Sequence, residues 1–481
     1  MKRLFLPLLF SFLVSHAGAQ NFKITLDAQG YTSGIAYLTY YSGKNFNIED
    51  SAAVNNKGIA IFQGKRRLPG GIYSIFVPGK TKYVDFFIDK DQQAINVKID
   101  TTDLVNKTVI TGSKENILFQ QYQKTVAVKG KAWEQERQAY NMSKTKQDSA
   151  LHEANYNRLN KELNDYRDNI MKNQPLSMLA VTLNAMKDAP ILHSNPKTHS
   201  DSLENYYHYR QHYWDGVTFM DERIIRSPFF LPKFEKYYRE IVIQHPDSII
   251  KDMDYQLLLA RSNQEMYKFI LNWATDEYIN PKYMGLDAVF VHLFEKYHGP
   301  GLTSWLNEKQ METIKRRYYM VVSSLIGAKA PDLEMLDTAG KPASLYNLNA
   351  EYTVVVFWDP NCGHCKEEVP RMDSFYTASW KKEGVKIYAV LSADSKEDVK
   401  PAWIKFINDH KLNEWTNVYM TKAMEDADIA AQKPSYRQLY DVIMTPTILL
   451  LDKNKNIIGK KLNLKQIDEL LQVKINSTKT K

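Results

Sequence analysis

Along residues 21 to about 115, apolar positions come in short runs, alternating with polar ones or rich in β-branched and aromatic side chains. The runs at 34–40, 58–62, 71–77 and 83–88 have the length and composition of strands. Gly30, Ser42-Gly43, Pro69-Gly70-Gly71 and Pro78-Gly79 separate them as turns. Strands of this length at spacings near ten residues predict a small sandwich or barrel. From about 116 to 326 the pattern becomes helical. Residues 129–171, 175–189, 202–214, 229–243, 264–279, 283–298 and 301–321 read as helices, punctuated by Pro175, Pro190, Pro228, Pro246, Pro281 and Pro300. Beyond Ala330-Pro331 and the turn at Asp337–Gly340 the pattern is α/β. It predicts strands at 352–358, 385–392, 447–451 and 457–461, the last two joined by a polar turn at 452–456. Helices are expected at 363–382, 396–410, 422–440 and 464–474. The result is a mixed sheet with helices on both faces.

The first nineteen residues stand apart from these elements. Lys2 and Arg3 precede the apolar stretch 4–14, and Ala17-Gly18-Ala19 offers the small residues that a signal peptidase needs. Cleavage after Ala19 would leave Gln20 as the new N-terminus. The stretch is short for a bilayer span, and no run of about 18 apolar residues follows. An exported chain is expected, divided into a signal peptide (1–19), a β-rich domain (20–115), a helical domain (116–326) and an α/β domain (327–481).

Charge and composition narrow the function. Hydrophobic residues at 44% and charged residues at 25% are those of globular protein. The net charge of +8, or +6 once Lys2 and Arg3 are removed, is dispersed among acids and makes no case for nucleic acid. Glu204, His208 and His212 fall on one helix face, but they match a zinc site only in part and read as ordinary helix-face residues. Tyr206, Tyr207, Tyr209, Tyr213 and Trp214 read as helix packing with polar ends at the rim. No metal and no cofactor is expected.

The chain has two cysteines, Cys362 and Cys365. They cannot staple domains together, and they fall short of a four-thiolate zinc site. In Phe357-Trp358-Asp359-Pro360-Asn361-Cys362-Gly363-His364-Cys365-Lys366 they lie on the first turn of a helix that follows a strand. A turn brings two such side chains within bridging reach. The free N–H groups and positive end of the helix favour a thiolate at Cys362, the expected nucleophile. Cys365 then resolves the mixed disulfide. His364 favours the thiolate and pulls toward oxidising character. Glu368 reads either as the acceptor of the Cys365 proton or as an acid favoured by the helix dipole. Thr445-Pro446 enters a strand; if that bond is cis, its loop lies beside the cysteines and the backbone of Thr445 can pair with an extended peptide.

Residues 328–474 resemble the TlpA-like extracytoplasmic thiol–disulfide oxidoreductases of the thioredoxin-like superfamily. The matching pieces are Ala330-Pro331-Asp332, the segment from Val356 through the Cys-Gly-His-Cys motif to Pro370, and Thr445-Pro446-Thr447 ahead of Leu450-Leu451-Asp452. The resemblance implies a thioredoxin-like fold with Cys362 as attacking cysteine, Cys365 as its partner, a cis Pro446 and Glu368 as active-site acid. Trp358, Gly363, His364 and Thr445 fill tuning or substrate-binding places. Two departures stand out. Val356 occupies the place of a buried aspartate in ordinary thioredoxin, and Gly-His between the cysteines is typical of disulfide isomerases. The whole arrangement is similar to multidomain Bacteroidetes proteins that join a β-rich domain, a helical region and such a module, and it implies the periplasm, with peripheral outer-membrane association as one placement.

The leading expectation is thiol–disulfide exchange on protein substrates, with reduction ahead of oxidation or isomerisation. No nucleotide-binding signature occurs, so a separate protein must supply or accept electrons. The alternatives are an oxidase or isomerase, a peroxide reductase, and a non-enzymatic binding or scaffolding protein with a vestigial redox domain. The paired cysteines disfavour the last two.

Overall fold

The computed structural model describes residues 22–393 and 398–479, so the expected signal peptide lies outside the described residues. The chain forms two compact units. One runs to Val242 and includes Gln256–Phe269; the other comprises Ile243–Tyr255 and everything from Ile270 onward. The architecture is an N-terminal β-sandwich, a helical middle region and a C-terminal α/β thioredoxin-like fold.

The sandwich contains β1 (Phe22–Ala28), β2 (Ile35–Ser42), β3 (Asn45–Ala53), β4 (Ile59–Gly64), β5 (Gly71–Phe76), β6 (Tyr83–Ile88), β7 (Ala94–Ile99) and β8 (Val109–Thr111). They pair as two four-stranded sheets, β4-β1-β7-β8 and β3-β2-β5-β6. Strand alternation sends Phe22, Ile24, Leu26 and Ala28 of β1 into the core and leaves Lys23 exposed. Gly58 turns into β4 at φ +80, where an added Cβ would stand 2.7 Å from the carbonyl oxygen of Ala28.

The middle region opens with α1 (Lys114–Met142) and α2 (Lys146–Asn173). The ring pairs Tyr122–Tyr166 and Trp133–Tyr156 show that the two run antiparallel. The helical stretch expected at 129–171 is therefore broken, because Thr145 caps α2 by accepting from the Asp148 N–H. There follow α3 (Met178–Ala185), α4 (His199–His212), α5 (Phe230–Lys236), α6 (Pro246–Ala260), α7 (Gln264–Ile279), α8 (Asp287–Leu293) and α9 (Glu308–Val321). Of the tyrosine cluster, Tyr213 is buried against Tyr237 and donates to the Lys233 carbonyl, while Tyr207 is exposed.

The α/β fold contains β9 (Glu334–Asp337), β10 (Pro342–Ser344), β11 (Tyr352–Trp358), α10 (Gly363–Ala378), β12 (Val385–Leu391), α11 (Lys400–Asp409), β13 (Thr416–Tyr419), α12 (Lys422–Ala430), α13 (Tyr436–Leu439), β14 (Thr447–Asp452), β15 (Ile457–Lys460) and α14 (Leu464–Lys479). The sheet order is β10-β9-β13-β12-β11-β14-β15, with β11 parallel to β12 and antiparallel to β14. Both faces of β11 are buried. Val354, Val356 and Trp358 pack with Val369 and Met372 of α10, while Val355 and Phe357 pack with Tyr440 and Leu333. Burial of such side chains stabilises the fold by roughly 1.5–3 kcal/mol each. It also fixes the end of β11, from which the cysteine motif departs.

Candidate redox site

The continuous apolar run of β11 ends at Asp359-Pro360-Asn361, and α10 starts at once. The Asp359 carboxylate accepts from the Asn361 N–H at 2.8 Å, and its carbonyl accepts from the Cys362 N–H at 3.1 Å. This tight turn places Cys362 at the cap of α10 without a capping side chain of its own. The free N–H groups of the first turn are left for the sulfur. Asp359 was not among the expected site residues, although Asp-Pro-Asn ahead of a helix is a recognisable turn signal.

Both cysteines are free thiols, Cys362 half-buried and Cys365 fully buried. Burial by itself would raise the Cys362 pKa. Hydrogen bonds from the Cys365 N–H and thiol, the Thr445 side chain and the His364 N–H outweigh it and hold the thiol below its ordinary value. Burial dominates at Cys365 and pushes its thiol up to about 12, with the neighbouring Cys362 sulfur adding to the rise. One sulfur is poised to ionise while its partner holds a proton. Alkylation of Cys362 is accordingly expected to reach half its limiting rate at a lower pH than in an unfolded cysteine peptide. Cys365 should stay protected well above neutrality. Mass spectrometry of each labelled cysteine across a pH series checks both.

The Thr445–Pro446 bond is cis, and the Cys362 thiol donates to the Thr445 carbonyl at 3.3 Å. Residues 83 apart in sequence are thus brought together. Trp358 is fully buried beneath the site, against Phe406. Gly363 and His364 are exposed. Glu368 is half-buried, one turn beyond Cys365, and its carboxylate pairs with Arg371. Val356 is fully buried in the sheet, so no carboxylate occupies that place. Glu204, His208 and His212 have separate partners in His193, the Pro190 carbonyl and Asp215.

The model of the AhpC/TSA family matches residues 326–460, and that of DUF4369, a domain of unknown function, matches residues 22–119. No curated protein matches the chain. Among solved structures, a domain of a possible thiol-disulfide isomerase from Cytophaga hutchinsonii is 35% identical. It covers 33% of this chain and 97% of its own, with a TM-score of 0.28. A thioredoxin-like protein from Bacteroides caccae is 21% identical over 60% of this chain and 99% of its own, with a TM-score of 0.45. The thioredoxin domain of a thiol-disulfide oxidoreductase from Bacteroides vulgatus is 25% identical over 31% and 97%, with a TM-score of 0.26.

Proposed function

We propose that this multidomain protein, which joins an N-terminal DUF4369 domain to a C-terminal thioredoxin-like domain of the AhpC/TSA family, is a TlpA-like reductase of protein disulfides outside the cytoplasm. The observation that carries thiol–disulfide exchange is the asymmetry of the two thiols, a half-exposed Cys362 held toward thiolate beside a buried Cys365 held as thiol; the direction, reduction, rests on the TlpA-like resemblance of residues 328–474.

In this reading the Cys362 thiolate attacks a substrate disulfide and releases one substrate thiolate. Cys365 gives up its proton and attacks the Cys362 sulfur of the mixed disulfide, releasing the second. The substrate gains two electrons, and the protein is left with a Cys362–Cys365 disulfide. A separate dithiol protein must then reduce it. Glu368 is proposed to take the Cys365 proton, and the Thr445 backbone to pair with the extended substrate. No helix among the described residues is long and apolar enough to cross a membrane. The expected signal peptide supports export, and with the TlpA-like resemblance it supports the periplasmic placement.

The reduction potential of the cysteine pair tests the direction of flow. Equilibration of the full chain against glutathione buffers is expected to give a midpoint near about −270 mV, the range of a reductase. A midpoint between about −180 and −120 mV would instead assign disulfide donation or isomerisation, with His364 as the motivating residue.

A further inference from the structure

The loop that carries Thr445 to the cysteines is held from the helical region. Arg317 of α9, almost fully buried, forks onto both carboxylate oxygens of Asp441, with Nη2 donating to Oδ2 at 3.0 Å and Nη1 to Oδ1. Its Nε donates to the Ile279 carbonyl at 3.0 Å, so the guanidinium is itself fixed. Asp441 is 1% exposed and takes a left-handed backbone, φ +53, four residues before Thr445. Lys461, just past β15, adds a second cation on Asp441 Oδ2. Between this clamp and the start of β14 lie Val442, which is buried, and Ile443 and Met444, which are exposed. The Thr445 carbonyl follows, 3.3 Å from Cys362 Sγ.

An ion pair this deeply buried gains little stability over apolar side chains of the same volume. What a planar two-pronged contact supplies is a fixed place and direction for its partner. We propose that Arg317 is a positioning residue of the redox site: by fixing Asp441 it sets where Thr445 stands against Cys362. The helical region is then part of the redox apparatus, and the α/β domain alone lacks a piece of it. This rests on the thiol–disulfide reading of the same site.

The test is the pH profile of Cys362 alkylation in the full chain. Arg317→Met is expected to displace Thr445, whose side-chain hydrogen bond helps hold the Cys362 thiol below its ordinary value. Where that loss outweighs the loss of the carbonyl contact, the midpoint moves upward by about 0.5–1 pH unit, a roughly three- to tenfold slower reaction near neutrality. Arg317→Lys keeps the charge but loses the fork, and should move it less. Asp254→Asn is the control. It breaks a cluster with His292, Lys296 and Tyr297 elsewhere in the same unit and should leave the midpoint in place. If the methionine variant fails to fold, the lysine variant decides. A midpoint unmoved in the folded Arg317 variants, or moved equally by Asp254→Asn, overturns the proposal. The readout is thiol reactivity, so absence of exchange activity in the unaltered chain would remove the functional reading and leave this test standing.

Discussion

Replacing Cys362 with serine is expected to abolish disulfide exchange by the full chain, a loss on the order of a thousandfold or more, because a hydroxyl at neutral pH is no substitute for a thiolate. Replacing Cys365 with serine should do something different. The first attack still proceeds, since the half-buried Cys362 keeps the hydrogen bonds from the Thr445 side chain and the His364 N–H that favour its thiolate. The second attack cannot, so a mixed disulfide between Cys362 and the substrate accumulates. Non-reducing gels of each variant incubated with a disulfide-bonded protein distinguish the two: a covalent adduct for Cys365→Ser, none for Cys362→Ser. Turnover surviving in Cys362→Ser would end the thiol–disulfide reading, as would adducts formed equally by both variants. The assignment of attacker and resolver would reverse if Cys362→Ser were the variant that trapped substrate.

The local geometry of this site was readable because its determinants are local. A β-branched run, an Asp-Pro-Asn turn and two cysteines at one helical turn specify strand, bend and helix cap without help from the rest of the chain. The place of the Pro446 loop beside the cysteines follows in sequence only if the Thr445–Pro446 bond is cis, as the resemblance implies; the bond is cis and the loop lies against Cys362. The environment of Glu368 was less legible. Helical spacing located it one turn beyond Cys365 but could not reveal that its carboxylate pairs with Arg371.

Other elements escaped for identifiable reasons. Helix α6 was missed because Pro246 reads as a breaker, whereas a proline in the first turn loses no helical hydrogen bond. The buried side chains at Ile249, Met253, Leu257 and Ala260 keep a helical period through it. Strand β3, Asn45–Ala53, is an edge strand with no buried apolar residue, so it carries no apolar alternation. Strand β13 has four residues and lies between helices, too short for its pattern to register. The Arg317–Asp441 fork joins residues 124 apart in sequence, a pairing that no spacing rule anticipates.

A second buried ion pair carries the largest expected effect on stability. Lys460, the last residue of β15, pairs with Asp287 of α8 and donates to the Ser324 carbonyl at 2.7 Å; both charged side chains are 5% exposed. Burial pulls the Lys460 ammonium below the usual lysine range, and Asp287 opposes this only in part. Asp287 Oδ1 has no hydrogen-bond partner among the described residues, so Lys460 is what offsets the cost of burying that carboxylate. Lys460→Met should therefore destabilise the second unit by about 3–5 kcal/mol, the range for stranding one member of a buried pair. Lys381→Met, which removes an exposed pair with Glu414, should leave the urea midpoint almost unchanged. Both cysteines belong to the second unit. The urea dependence of Cys365 alkylation in the full, reduced chain therefore reads its opening alone. The double replacement Lys460→Met with Asp287→Leu should recover most of the loss, because the apolar pair no longer buries a charge. Equal midpoints for Lys460→Met and Lys381→Met would show that the pair does not hold this unit together. A double variant as weak as the single would show that the methionine fails by packing and not by stranding Asp287.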